Sequence, residues 1–236
     1  MRSPAKELYY HLLSLADKKT AQTAARFFKP RALSGDTFIG VRIPAMRKLV
    51  PEYRSLALKD ILSLLPANEH EVRVMAILLL VDRFKSGSAS EQRSVYQSYL
   101  DHTKYLNNWD FVDLSAYHIV GPYLQERSRR PLYRLAKSQD MWERRIAIVA
   151  TLAYIREYDY DDALALSELL LVDKEDLIHK PVGWMLREVG NRDMAIAETF
   201  LKQHCQIMPR TTLRYAIERF TAEKRRFYMN KGPLSE

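Results

Sequence analysis

Three features of the amino-acid sequence predict an all-α fold built from stacked helix pairs. Glycine is scarce, with 7 residues in 236, roughly 3% of the chain against a usual ~7%. No stretch alternates apolar and polar residues with period two, so strands are not expected. A short motif also recurs along the chain at an interval that suits two-helix repeats.

Taken in order, Pro4 to Ala16 and Lys18 to Lys29 carry apolar residues at helical spacing and form a first helix pair, the second of which ends at Pro30. Ser34-Gly35-Asp36 reads as a loop. Phe38-Ile39-Gly40-Val41-Arg42-Ile43-Pro44 then leads into an extra helix near 44–54. Pro44 suits its first turn, where the missing N–H would have no partner in any case. Further helices are expected at about 58–65, 69–85, 90–101, 108–120, 129–138, 141–157, 161–172, 175–189, 193–206 and 210–226.

The repeat is visible in four segments. Arg73-Val74-Met75-Ala76-Ile77 resembles Arg144-Arg145-Ile146-Ala147-Ile148, Lys180-Pro181-Val182-Gly183-Trp184 and Leu213-Arg214-Tyr215-Ala216-Ile217. The interval from 77 to 148 is twice the others, and Asp113 fills the gap, giving 77, 113, 148, 184 and 217. A period of about 35 residues means stacked helix pairs, here a HEAT-like α-α superhelical solenoid of about six pairs forming one domain over 1–236. In such an array equivalent residues line up along one surface. The column reads Ile77, Asp113, Ile148, Trp184, Ile217, and four positions earlier it reads Arg73, Trp109, Arg144, Lys180, Leu213, so that basic residues recur at Arg73, Arg144 and Lys180. Arg145 and Arg214 stand one place further on, so a basic stripe flanks Trp109 and Asp113.

Composition narrows the partners. The net charge of +8 favours polyanions, among which composition alone does not separate nucleic acid from an acidic protein or a membrane surface. The longest aliphatic run, Ala76 to Val81, is far short of the ~20 residues of a membrane span. Met1-Arg2-Ser3-Pro4-Ala5-Lys6-Glu7 lacks a following apolar core, so no signal peptide is expected and a cytoplasmic monomer is the default. One cysteine, Cys205, allows no internal disulfide and reads as a small buried apolar residue. The six histidines show no HExxH spacing, and no nucleotide-binding glycine loop or GxSxG occurs, so neither a metal nor a cofactor is expected.

The chemistry concentrates at Asn107-Asn108-Trp109-Asp110-Phe111-Val112-Asp113. The asparagines suit capping of orphan amides, and Asp110 suits the positive end of a helix. Trp109 and Asp113 are four apart and share one helical face. Taken alone, Trp109 or Trp184 reads as a packing aromatic, Asp113 as a carboxylate bonded to Arg145 or Asn108, and the basic column as solvated surface. One acid and one indole replacing aliphatics in the same register, beside a second indole, form a joint anomaly that a functional site explains. Lys224-Arg225-Arg226 reads first as a solvated helix end.

Asn108-Trp109-Asp110-Phe111-Val112-Asp113, Trp142-Glu143-Arg144-Arg145 followed by Ala147, and Gly183-Trp184-Met185-Leu186-Arg187-Glu188 resemble the DNA alkylation repair family of HEAT-like DNA glycosylases, the AlkD type. Gly40-Val41-Arg42, with Pro44 and Arg47, resembles that family's N-terminal signature, and the resemblance spans nearly the whole chain. It implies excision of positively charged N-alkylated purines, such as 3-methyladenine and 7-methylguanine, from double-stranded DNA. The catalytic aspartate then falls on Asp113, the lesion-facing tryptophans on Trp109 and Trp184, and an active-site arginine on Arg145. Backbone contacts are expected at Lys180 and Arg187, and the basic column adds Arg73, Arg144 and Arg214. Family members often carry a tyrosine near the lesion where this chain has Phe27, so a role for a hydroxyl there does not carry over. Pro181 lies inside the Trp184 helix and is expected to bend it locally. Two alternatives stay open: a non-catalytic binder of damaged or branched DNA, and a protein-interaction scaffold.

Overall fold

The computed structural model describes residues 4–27 and 35–231. Among them the fold is all-α, with one isolated β-bridge between Thr37 and Glu69 and no strand. The chain divides into two compact units, Met1–Ile119 and Val120–Glu236.

The first unit holds α1 (Pro4–Ser14), α2 (Lys18–Phe27), α3 (Ile43–Tyr53), α4 (Leu58–Leu62), α5 (His70–Ser86), α6 (Ala89–Asp101), a 3-10 turn at Thr103–Tyr105 and α7 (Trp109–Asp113). The division falls inside α8 (Ala116–Leu124). α5 is the centre of this unit. Its run from Val72 to Val81 is buried on every face, which a helix tolerates only when neighbours surround it. Those neighbours are α1, α3, α4, α6 and α7. Ser88 caps α6 reciprocally with Glu91, the arrangement that satisfies two orphan donors at once.

The second unit holds α9 (Arg130–Ala136), α10 (Met141–Ala150), α11 (Leu152–Arg156), α12 (Asp161–Leu170), α13 (Asp176–Gly190), α14 (Met194–His204), α15 (Arg210–Ala216) and α16 (Ala222–Lys231). Here α13 is central, packing against α10, α12, α14 and α15. Its closest approach is to α15. A Cβ on Gly183 would stand 2.4 Å from the Thr212 carbonyl oxygen and 2.5 Å from Tyr215 Cβ, so only glycine admits α15 at that distance.

The repeat register survives in the structure. The motif falls on α5, α7, α10, α13 and α15, and of the helices that precede them α4, α9 and α12 pack against α5, α10 and α13 in turn. The extra helix is α3, with Pro44 in its first turn. Three expected helices are broken. The 108–120 helix stops at Asp113 and resumes at Ala116, where the Ser115 hydroxyl donates to the Phe111 carbonyl at 2.6 Å and competes with the helical ladder. The 141–157 helix breaks at Thr151, whose hydroxyl donates to the Ile148 carbonyl at 2.7 Å. The 210–226 helix ends at Ala216, and Thr221 starts a new one by accepting from Arg225 N at 2.9 Å. The expected helix end at Lys29 and Pro30 lies outside the described residues. No helix among those described is long and apolar enough to cross a membrane.

Candidate active site

In the first unit the site is built on α7, a helix of five residues. So short a helix has little stability of its own and must be held at both ends. At its start Asn108 is the cap, its side-chain oxygen accepting from Trp109 N at 2.8 Å. Asn107 does not share that task, contrary to expectation. Its side-chain oxygen accepts instead from the Arg73 guanidinium. At the other end Ser115 is tied to Tyr99, with 2.8 Å between the hydroxyls. Burial drives the Tyr99 phenol pKa far above its ordinary value, the Ser115 hydrogen bond opposes this, and the Asp113 carboxylate adds to the rise.

Asp110 anchors α7 to α5. Its carboxylate accepts from Phe111 N at 2.9 Å and stands 2.7 Å from His70 Nε2, while His70 Nδ1 lies 3.0 Å from Asp36. Phe38 and Phe111 stack on the His70 ring, with centroids 4.7 and 4.6 Å away. Burial works against a charge on this imidazole. Hydrogen bonds to Asp110 and Asp36 and the charges of both outweigh it, and the pKa rises to about 9. Arg73 completes the cluster, donating to Asp36, to the Tyr105 carbonyl and to Asn107. The segment before α3 is pinned to α5 as well. Glu71, itself buried, accepts from Gly40 N at 2.8 Å and Ile39 N at 3.0 Å. Gly40 has φ +86, and a Cβ there would meet the Asp17 carbonyl oxygen at 2.1 Å.

On this frame Trp109 and Asp113 are both half-buried, one turn apart on the same face. Phe27, 71% exposed at the end of α2, meets Trp109 edge-on with ring centroids 6.0 Å apart. The other aliphatic members of the column, Ile77, Ile148 and Ile217, are buried outright, whereas Asp113 and Trp184 are not.

In the second unit Asp140 caps α10 by accepting from Trp142 N at 2.8 Å. Arg145, only 5% exposed, donates to the Leu177 carbonyl in the first turns of α13. Trp184 stands half-buried further along α13, its indole N–H donating to Glu188 at 3.3 Å. Arg192 holds the same Glu188 carboxylate at 2.9 Å.

The basic column is less free than its sequence spacing implies. Arg73 is 4% exposed and lies inside the charge cluster just described, so it frames α7 and does not reach a surface. Arg144 grips Asp173 through two bonds of 2.6 and 3.2 Å, and Arg187 is paired with Glu218. Lys180 makes a half-exposed pair with Asp176 at 3.1 Å. Arg214 is exposed. Column spacing reports register and says nothing of the acids that other segments bring alongside. The sequence reading also missed His70, Asp36 and the anchoring part of Asp110. The cue was an ionisable residue opening the helix that carries the long aliphatic run from Ala76 to Val81. Among the described residues no group of three His, Cys, Asp or Glu is arranged to hold a metal ion.

Comparison with known proteins supplies a second, independent line. The family model described as DNA alkylation repair enzyme matches residues 8–220. No curated protein matches the chain. Among solved structures, a predicted DNA alkylation repair enzyme from Enterococcus faecalis is similar with a TM-score of 0.67 and 17% identity, over 88% of this chain and 97% of that one. AlkD2 from Streptococcus mutans is similar with a TM-score of 0.58 and 16% identity, over 85% of this chain and 99% of that one. At such identities these two likenesses speak for the fold.

Proposed function

The chain belongs to the DNA alkylation repair enzyme family, and from that premise we propose that it is a DNA glycosylase that frees N3- and N7-alkylated purines from duplex DNA. The observation that carries the reading is the pair of interruptions in the repeat register. Where α5 and α10 bury an isoleucine, α7 and α13 leave a carboxylate and an indole half-buried. A packed core gains nothing from either exchange, since burying a charge is unfavourable and half-exposing an indole forfeits apolar burial.

The chemistry fits those groups. An alkylated purine is already cationic, so it leaves as a neutral base without a strong general acid. As the glycosidic bond breaks, its electron pair passes to the purine and positive charge builds on the deoxyribose, as in glycoside hydrolysis. Asp113 stabilises that charge and orients the water that adds to the sugar carbon. Trp109 and Trp184 each offer an aromatic face to a cationic nucleotide, worth about 0.5–2 kcal/mol of cation–π attraction apiece. Phe27 extends the aromatic wall beside Trp109. Arg145 fixes geometry and not a phosphate, in keeping with its burial. Arg214 and Lys180 are the first candidates for phosphate contacts, and Arg144 and Arg187 would have to exchange an acid for a phosphate. In this reading the lesion is gripped through its sugar and backbone, which tolerates bulky adducts.

The test is release of 7-methylguanine and 3-methyladenine from methylated duplex DNA, with Asp113→Asn alongside. The variant should lose about 10²–10³-fold in single-turnover rate, the usual loss for one preorganised electrostatic group, while binding DNA as well as the wild type. DNA binding without base release by the wild type would support a non-catalytic binder. No DNA binding at modest salt would support a protein-interaction scaffold.

A further inference from the structure

Pro181 sits at the sixth position of α13, well past the first turn where proline is normally accommodated. It has no N–H, so the carbonyl four residues earlier, that of Leu177, cannot receive its regular helical bond. The pyrrolidine ring also presses against that same carbonyl and tilts it off the helix axis. The donor that the Leu177 carbonyl does receive is the Arg145 guanidinium. Arg145 is buried on α10, and Trp184 stands three residues beyond Pro181 on α13.

We propose that Pro181 is a positioning residue: by leaving the Leu177 carbonyl open it creates the acceptor that fixes Arg145 to the helix bearing Trp184. This rests on the assignment of Arg145 and Trp184 to the active site. The apparent defect in the helix has a direct chemical use. A buried guanidinium needs acceptors, and backbone carbonyls inside an intact helix are already engaged. Removing one amide proton frees one acceptor at a place fixed by the helix itself. A carboxylate acceptor would add a negative charge there, and a backbone carbonyl adds none.

The experiment is a double-mutant cycle with Pro181→Ala and Arg145→Ala. Alanine restores the N–H, lets the Leu177 carbonyl return to the helical ladder and keeps the helix intact. Pro181→Ala should therefore melt at or above the wild-type temperature, bind duplex DNA within about twofold of wild type, and release base about 10–100-fold more slowly, as expected when a reacting group is misplaced. In the Arg145→Ala background the same substitution should change the rate by less than about twofold, because residues acting through one contact are not additive. A wild-type rate in Pro181→Ala, or an equal loss with and without Arg145, would overturn the proposal. Thermal melts of the four proteins read the same contact without any catalysis. Arg145→Ala should lower the melting temperature less when alanine occupies 181, and additive shifts would overturn the proposal even if the wild type releases no base.

Discussion

His70 keeps its proton at a pH where an ordinary imidazole has lost it, because two carboxylates share its ring nitrogens inside the fold. Its folded pKa of about 9 lies above the unfolded value of about 6.5. Its contribution to stability is therefore complete below about pH 6.5 and is lost as the pH rises through about 9. Wild type and His70→Gln should accordingly differ most in melting temperature near pH 6 and converge toward pH 9.5. A pH-independent difference would show that the imidazole is neutral. Asp113 was legible in the sequence as a candidate, because an acid in an aliphatic register is an anomaly that needs no structure to see. His70 was not, since its partners lie 34 and 40 residues away and nothing local marks them. Arg73 misled for the same reason. Its neighbours in the repeat suggest a surface, and Asp36 buries it.

At the level of helices, periodicity located every long element and misplaced the breaks. Ser115 and Thr151 are compatible with helix by propensity alone, and only their bonds back to Phe111 and Ile148 reveal the interruption. The break at Ser115 matters because it leaves Asp113 as the last residue of α7, held by that helix's anchors and not by α8. Gly183 is the comparable feature of α13. Gly183→Ala should force α13 and α15 apart and destabilise the protein by about 1–3 kcal/mol, the usual cost of overpacking. Calorimetry should show a fall of roughly 2–4 °C for each kcal/mol. An unchanged melting temperature would mean that the two helices do not touch at Thr212 and Tyr215.

For the molecule as a whole, the formal charge of +8 overstates the cations ready to meet DNA. Arg144 and Arg187 are already matched to acids, and Arg73 is buried. Duplex affinity should fall linearly in logarithmic terms with salt, and Arg214→Ala should make that slope shallower by about 0.9, one phosphate's worth. Arg73→Ala should leave the slope alone and lower the melting temperature, a contrast that binding titrations at several salt concentrations and a melt settle together. The two-helix period made the architecture readable without coordinates, whereas the charge pattern needed them, because pairing is set by tertiary contacts. α2 presents a last contrast, since it buries none of its residues and yet supplies the ring against Trp109. Position 27 is thus open to change: a new side chain there alters the ring set against Trp109 while the stability threshold that constrains most substitutions is hardly engaged.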